Sequence, residues 1–291
     1  MNEQLLSGPK VKLVECPRDA MQGWPHFIAT HKKIAYINEL LKVGFDTIDF
    51  GSFVSPKAIP QMADTHEVIK NIDLSNSHTK LLAIIANERG AQDAVLYDAI
   101  TYLGFPFSVS ETFQKRNANA SIQESLSRVE EIQNLCIKHK KELVVYISMG
   151  FGNPYGDPYD EAIVYQCVNE LVAMDIKIIS LADTVGLATP QQVSSVTKYL
   201  VDSLPQTEIG VHLHSTAANW KAKTDAALQA GCLRFDGALK GIGGCPMAGD
   251  DLVGNMDTEL MLPYFEELNL LREIDKEALK KCSQMAGEIF I

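Results

Sequence analysis

Short apolar runs alternate with longer segments of helical spacing along the whole chain. The runs are VKLVEC (11–16), DTIDF (46–50), KLLAIIA (80–86), FPFSVS (105–110), ELVVYIS (142–148), IKIISLA (176–182), IGVHLH (209–214) and RFDGAL (234–239). Several are apolar almost throughout, as strands covered on both faces are. Between them lie stretches such as THKKIAYINELLKVG and SIQESLSRVEEIQNLCIKHKK. In the first, Ile34, Ile37, Leu40 and Leu41 fall on one helical face. Thr30 and Ser121 read as N-caps and Gly44 as a C-cap, and Ser121 with Glu124 makes a capping box.

Eight such strand–helix units predict an α/β fold, a closed (β/α)8 TIM barrel. The rival is a doubly wound open sheet, which normally carries a glycine-rich phosphate loop after its first strand. Here that position reads CPRDAMQ. There is no linker of Pro, Gly and Ser and no low-complexity tract, so residues 1–291 read as a single domain. The segment from about residue 256 to 291 reads as a C-terminal helical extension packed on the barrel.

Composition changes this picture little. The 291 residues are 46% hydrophobic and 22% charged, which is ordinary for a soluble domain. The net charge of -11 disfavours nucleic acid and anionic membranes as partners. No apolar run approaches the ~20 residues needed to span a bilayer. The N-terminal segment lacks a basic region followed by a long apolar one, so a cytoplasmic location is expected. Six cysteines lie far apart with no CxxC pair, which fits reduced thiols and argues against a zinc knuckle.

In a (β/α)8 barrel the residues at strand C-termini converge on one mouth. Read there, the chain offers Arg18 and Asp19, Asp49 and Ser52, Asn87, Ser110 and Glu111, Ser148, Ser180 and Asp183, then His212 and His214. Period two puts the two histidines on one face of their strand. With Asp19 they can hold a divalent cation while leaving positions open for substrate, and a later carbonyl such as Asn255 can complete the set. Mixed nitrogen and oxygen ligation suits Mg2+ or Mn2+ and would also tolerate Zn2+, Co2+ or Fe2+. The same HxH also suits a hydrogen-bonded histidine pair, or one functional and one structural histidine. Arg18 reads either as a cation aimed at a developing oxyanion or as one half of an ion pair closing the mouth. Cys245 lies in the glycine-rich GIGGCPMAGDDLVG, a loop able to close on a substrate. Cys16, Cys136, Cys167 and Cys232 read as inert packing.

At these residues the chain resembles the hydroxymethylglutaryl-CoA lyases of the DRE-TIM metallolyase superfamily. The likeness runs through PRDAMQ (17–22), GSFVSPKAIPQMAD (51–64), SETFQKRNANASIQESL (110–126), GNPYGDPY (152–159), ISLADTVGLATP (179–190), VHLHST (211–216) and GIGGCPMAGDDLVGNM (241–256). The resemblance implies cleavage of 3-hydroxy-3-methylglutaryl-CoA to acetyl-CoA and acetoacetate by reverse Claisen chemistry. It implies Asp19, His212, His214 and Asn255 as metal ligands, Arg18 facing the enolate, and Cys245 delivering a proton from its loop. His212 or Asp49 would take the hydroxyl proton. Gln22, Ser52, Ser180, Asp183 and Thr184 would lie against the acyl-CoA, with Lys57, Lys115 and Arg116 as a basic rim for its phosphates. Assembly as a dimer or tetramer is also implied.

The chain departs from the family pattern in places. RDGLQNE reads RDAMQGW, Asp49 stands where the lyases usually have Glu, and SMGFGNPYG replaces a cysteine-containing segment. These positions concern the pocket rather than the ligands. They keep open a related lyase, aldolase or acyltransferase acting on another 3-hydroxyacyl-CoA or a 2-oxo acid. A catalytically silent barrel acting as a binding module is a third reading, against which the full set of polar residues stands.

Overall fold

Strand pairing closes a barrel in chain order, with every neighbour parallel and the last strand bonded back to the first. The computed structural model describes residues 9–244 and 254–291. The strands are β1 Lys12–Glu15, β2 Thr47–Ser52, β3 Lys80–Ile84, β4 Ile100–Ser108, β5 Glu142–Ser148, β6 Ile178–Ala182, β7 Glu208–His212 and β8 Arg234–Gly237. The helices are α1 Pro17–Gln22, α2 Thr30–Val43, α3 Thr65–Lys70, α4 Glu88–Ala94, α5 Glu111–Ala118, α6 Ile122–Lys138, α7 Glu161–Ala173, α8 Pro190–Ser203, α9 Trp220–Gln229, α10 Thr258–Glu267 and α11 Lys276–Ile289. The expected (β/α)8 barrel is therefore present, and the open sheet is excluded.

Two apolar layers follow from the alternation of side chains along each strand. The larger lies between sheet and helices, where Leu103, Phe105, Ile147, Ile179 and Val211 meet the buried faces of the helices. The smaller fills the barrel itself with Leu82, Tyr102, Val144, Tyr146 and Ile178. The register Val144↔Ile178 sets two of these side by side.

The observed elements differ from the sequence reading at a few places. β4 starts at Ile100, five residues before the apolar run that announced it. The added stretch contains Gly104, where a Cβ would stand 2.6 Å from Ile84 Cδ1 and 3.1 Å from Tyr146 Cε2. It is a strand residue where the barrel filling leaves room for nothing larger. Thr30 is the first residue of α2 rather than its cap, which is Ala29, with no side-chain cap hydrogen bond. Gly44 ends α2 in the left-handed region as expected, and the Ser121–Glu124 capping box forms at α6.

The C-terminal pair divides differently from the sequence reading. α10 follows β8 and is the barrel's own eighth helix, with Phe265 against Phe235 at a centroid distance of 5.0 Å. α11 alone is additional. It lies along α2, where Lys281 pairs with Glu39 at 2.7 Å. The turn before it is tied to the body by the Asp275 amide donating to the Val43 carbonyl.

Phe265 is fully buried, so Phe265→Ala should lower the unfolding free energy by about 3–5 kcal/mol. Urea denaturation followed by circular dichroism reads this directly. A loss under about 1 kcal/mol would mean that α10 is not part of the core.

Candidate active site

The site is built where β1 gives way to α1. Pro17 opens α1, where the missing N–H has no helical partner to lose. Arg18 and Asp19 therefore sit on a helical turn just past the strand rather than on the strand end. Residues three and four apart face one another on a helix. Gln22 Nε2 donates to Asp19 Oδ1 at 3.0 Å, and Arg18 Nη1 donates to Gln22 Oε1 at 2.8 Å and to Asp19 Oδ1 at 3.1 Å.

The rest of the guanidinium turns to β2. Its Nε and Nη2 both donate to Asp49 Oδ2, at 3.0 and 2.5 Å. Asp49 Oδ1 is buried with no hydrogen-bond partner. Burial pushes the Asp49 carboxyl up, Arg18 opposes this, and the outcome is about 6. Burial also acts on Asp19, but there the charges of Arg18 and His212 and the Asn255 hydrogen bond win and hold it down at about 2.

On the opposite wall, Asn255 Nδ2 donates to Asp19 Oδ2 at 2.7 Å and to the Ile242 carbonyl at 2.9 Å. A short antiparallel bridge sets Asn255 beside His214. Gly243 makes the crossing possible: a Cβ there would stand 2.4 Å from Asn255 Nδ2 and 3.0 Å from Asp19 Oδ2, and its φ of +116° suits glycine. The His212 and His214 rings lie 5.4 Å apart between centroids. His212 Nδ1 faces Asp236 Oδ2 at 3.1 Å, and Tyr146 meets the same ring edge-on at 5.9 Å. Burial alone would lower the His212 pKa, yet the hydrogen bond and charge of Asp236 raise it.

These residues suit a divalent cation. Asn255 Oδ1 is a buried carbonyl oxygen with no partner, beside an ionised Asp19 and two imidazoles. Asp236 holding Nδ1 leaves Nε2 of His212 for an ion, the usual arrangement around a metal-bound histidine. Among the described residues, the tightest group of three potential ligands is nevertheless Cys16, His212 and Asp236, whose ligating atoms lie within 4.8 Å of one another. Asp19, His212 and His214 are drawn together less closely.

Arg18, Asp19, Gln22, Asp49, His212, His214 and Asn255 are thus brought to one mouth. The other expected site residues are placed differently. Asp183 is engaged by Lys223 Nζ at 2.7 Å and by the Ala188 amide at 2.9 Å. Thr184 Oγ1 accepts from the Met149 amide, and Ser52 Oγ from the Val54 amide. Ser180 lies mid-strand in register with Gly210, one inward-facing level below His212, with its hydroxyl unpartnered. Lys57 is exposed, Lys115 pairs with Glu111, and Arg116 lies over the Tyr155 ring at 4.7 Å. Cys245 lies outside the described residues.

Three participants escaped the sequence reading. Asp236 was legible as the inward partner of Arg234 two residues on, but β8 was read only as the lead into the glycine-rich loop. Lys223, a buried cation on α9, also donates to the His214 carbonyl at 2.8 Å and has no local sequence signal. Cys16, expected to be inert packing, is buried just past β1, and its thiol also stands within 4.8 Å of ligating atoms of His212 and Asp236.

Comparison with known proteins identifies the family of this barrel. The HMGL-like family profile matches residues 10–286. The chain belongs to the HMGL-like family. It is 34% identical to the hydroxymethylglutaryl-CoA lyase YngG of Bacillus subtilis, over 94% of this chain and 90% of the relative. It is 33% identical to the 3-hydroxy-3-isohexenylglutaryl-CoA/hydroxymethylglutaryl-CoA lyase of Pseudomonas aeruginosa, over 94% and 91%. An HMG-CoA lyase of Acinetobacter baumannii, solved with coenzyme A and 3-methylmalate, superposes with a TM-score of 0.90. That likeness covers 100% of this chain and 93% of the other, at 32% identity.

Asp236→Asn keeps the shape of the side chain but removes the charge that orients His212. It should weaken Mn2+ binding by about 10–100-fold, measured by calorimetric titration. Unchanged affinity would show that His212 is not a ligand held by Asp236.

Proposed function

We propose that this protein is a divalent-metal-dependent carbon–carbon lyase that cleaves 3-hydroxy-3-methylglutaryl-CoA to acetyl-CoA and acetoacetate. One observation carries the reading. An Arg18 held by four hydrogen bonds, an ionised Asp19, two imidazoles and an unpartnered Asn255 oxygen meet at the C-terminal mouth of a barrel that matches such lyases along nearly its whole length.

The chemistry asks for two things: removal of the proton from a tertiary hydroxyl, and a place for negative charge on the departing thioester enolate. Asp19, His212, His214 and Asn255 would hold the ion, for which we propose Mg2+ or Mn2+. Bound there, the ion would chelate the hydroxyl and lower its pKa. Asp49 is poised near 6 with one oxygen free of hydrogen bonds, which suits a base working near neutral pH. Arg18 is held rigid by three side chains, so it presents positive charge to the enolate without reorganising. Gln22 supports both Arg18 and Asp19. Asp183 is held by Lys223 and the Ala188 amide, and Thr184 accepts from the Met149 amide; their role as substrate contacts rests on the family resemblance. Cys245 would return the proton to the enolate carbon. The basic rim, assembly as a homo-oligomer and Ser52 and Ser180 as substrate contacts rest on the family resemblance. Five described cysteines are unpaired thiols, which supports a reducing, cytoplasmic setting. No described helix is long and apolar enough to cross a membrane. All these parts belong to one folded domain.

A second reading has a specific basis. Asp49 is one methylene shorter than the glutamate usual in the lyases and has an unpartnered oxygen, which favours a bulkier substituent at C3 of the substrate.

The test is release of acetoacetate from 3-hydroxy-3-methylglutaryl-CoA with Mg2+ or Mn2+, abolished by chelator. Turnover only of a longer 3-substituted glutaryl-CoA would favour the second reading. Turnover of neither would remove both. Arg18→Met should lower kcat by at least roughly 10²-fold while Mn2+ still binds. A near-normal rate would take Arg18 out of the mechanism.

The pH profile follows from Asp49. A base whose pKa in the fold is about 6 is charged and active above that value and protonated below it. kcat/KM should therefore fall as pH drops through about 6, and Asp49→Asn should abolish this limb together with most of the activity. A wild-type profile flat through this range would show that another group is the base.

A further inference from the structure

The tightest group of ligating atoms in the described chain is not the expected one. It consists of Cys16, His212 and Asp236, with their atoms within 4.8 Å of one another. Asp236 pairs with Val14 in the β1–β8 register, and Cys16 follows β1 two residues on, its amide donating to the Gly237 carbonyl at 2.8 Å. Both are buried, at 1% and 2% exposure. The Cys16 thiol has only a weak 3.7 Å contact with the Val14 carbonyl. Asp236 Oδ1 is buried with no hydrogen-bond partner, while Oδ2 faces His212 Nδ1 at 3.1 Å. Three carboxylates, Asp19, Asp49 and Asp236, gather here, with Arg18 bonded to the first two and the buried Arg234 acting on Asp236 through its charge.

We propose that Cys16, His212 Nδ1 and Asp236 form a binding site for a soft, thiophilic divalent cation of the Zn2+ or Cd2+ class, which inhibits the enzyme by taking His212 from the outer ion. Zinc–sulfur bonds of about 2.3 Å and zinc–nitrogen bonds of about 2.0–2.1 Å place tetrahedral ligands roughly 3.3–3.8 Å apart. The three groups already span 3.1 Å to at most 4.8 Å, so shifts of roughly 1 Å suffice. Three protein ligands leave a fourth position for water. A hard Mg2+ would not compete for a thiolate, whereas Zn2+ and Cd2+ favour one.

The exclusion follows from the proton count of imidazole. A neutral ring has one lone pair and one N–H. With Nδ1–H toward Asp236, the lone pair of Nε2 is available to an ion at the mouth. A metal on Nδ1 requires the proton on Nε2, which then has no lone pair to give. The Cys16 thiol proton leaves to solvent as the metal–sulfur bond forms, and no oxidation is involved. Inhibition rests on the lyase reading above, but binding does not.

The full-length protein is titrated with Cd2+ in excess Mg2+, and the ultraviolet thiolate-to-cadmium charge-transfer band is followed. The expected result is one equivalent bound with a band. Cys16→Ala and Cys16→Ser should lose it, Cys245→Ala should keep it, and Asp236→Asn should weaken it at least tenfold. Two Cys16 variants, checked by circular dichroism, guard against a misfolded one. A band that survives in both Cys16 variants, or no band at all, overturns the proposal. In the turnover assay, Zn2+ should inhibit wild type at least tenfold more strongly than Cys16→Ala. Equal inhibition overturns the regulatory part. Absence of turnover with any glutaryl-CoA would defeat the lyase reading and leave the cadmium result standing.

Discussion

Three carboxylates, Asp19, Asp49 and Asp236, are buried at one end of the barrel, and that crowding governs the rest of the mouth. Like charges out of water raise one another's pKa unless a cation or a set of donors compensates. Arg18 does this for two of them through one planar fork: Nε and Nη2 to Asp49, Nη1 to Asp19. Lysine could not hold both orientations at once. The division is unequal. Asp19 also accepts from Gln22, Asn255 and the Gly244 amide and stays ionised, whereas Asp49 has Arg18 alone and drifts toward neutrality. Two carboxylates on one guanidinium thereby become a fixed charge and a titratable one, which is the separation that acid–base chemistry needs.

The third carboxylate has no arginine hydrogen bond and is matched to His212 instead. The walls around this set are fixed from outside. Glu15 accepts from the Leu239 amide at 2.9 Å and the Thr258 hydroxyl at 2.6 Å, joining both stems of the segment that carries Asn255. Lys223 joins Asp183 to the His214 carbonyl and so ties the ends of β6 and β7 together. Trp24, which follows the α1 turn, meets Phe290 edge-on at 5.3 Å, so the residue that departs from the family pattern packs on the chain's last helix rather than in the pocket. A buried ion pair such as Lys223–Asp183 adds little net stability, and what it adds here is geometry.

The barrel was legible because each strand is apolar on both faces and each helix on one, so periodicity carried the architecture. The site was legible where its residues sit on a strand or just past its end, as with Asp49, His212 and His214. Legibility failed where the chain's direction changes. Arg18 and Asp19 belong to a six-residue helix too short to have a period. Gly104 gave no signal because its reason, the filling of the barrel by Ile84 and Tyr146, comes from other strands. Lys223 gave none because its partners are 40 and nine positions away. α10 looked like an extension because the segment before it delays the return of the eighth helix.

The polar atoms left without partners complete the argument. Asp49 Oδ1, Asp236 Oδ1 and Asn255 Oδ1 are all buried acceptors at the same mouth. A fold can avoid each such defect by substituting an apolar residue of similar size, since an unsatisfied buried group is costly and a well-packed replacement is not. These three acceptors suit positive charge, and deeper in the barrel the unpartnered Arg234 Nε and Nη2 supply some of it next to Asp236. Arg18, held by four hydrogen bonds, supplies part of that charge in a fixed position. The remainder must come from whatever binds, and the nature of the nearest side chains decides what that is: oxygen and imidazole on the outer side, with Cys16 beneath.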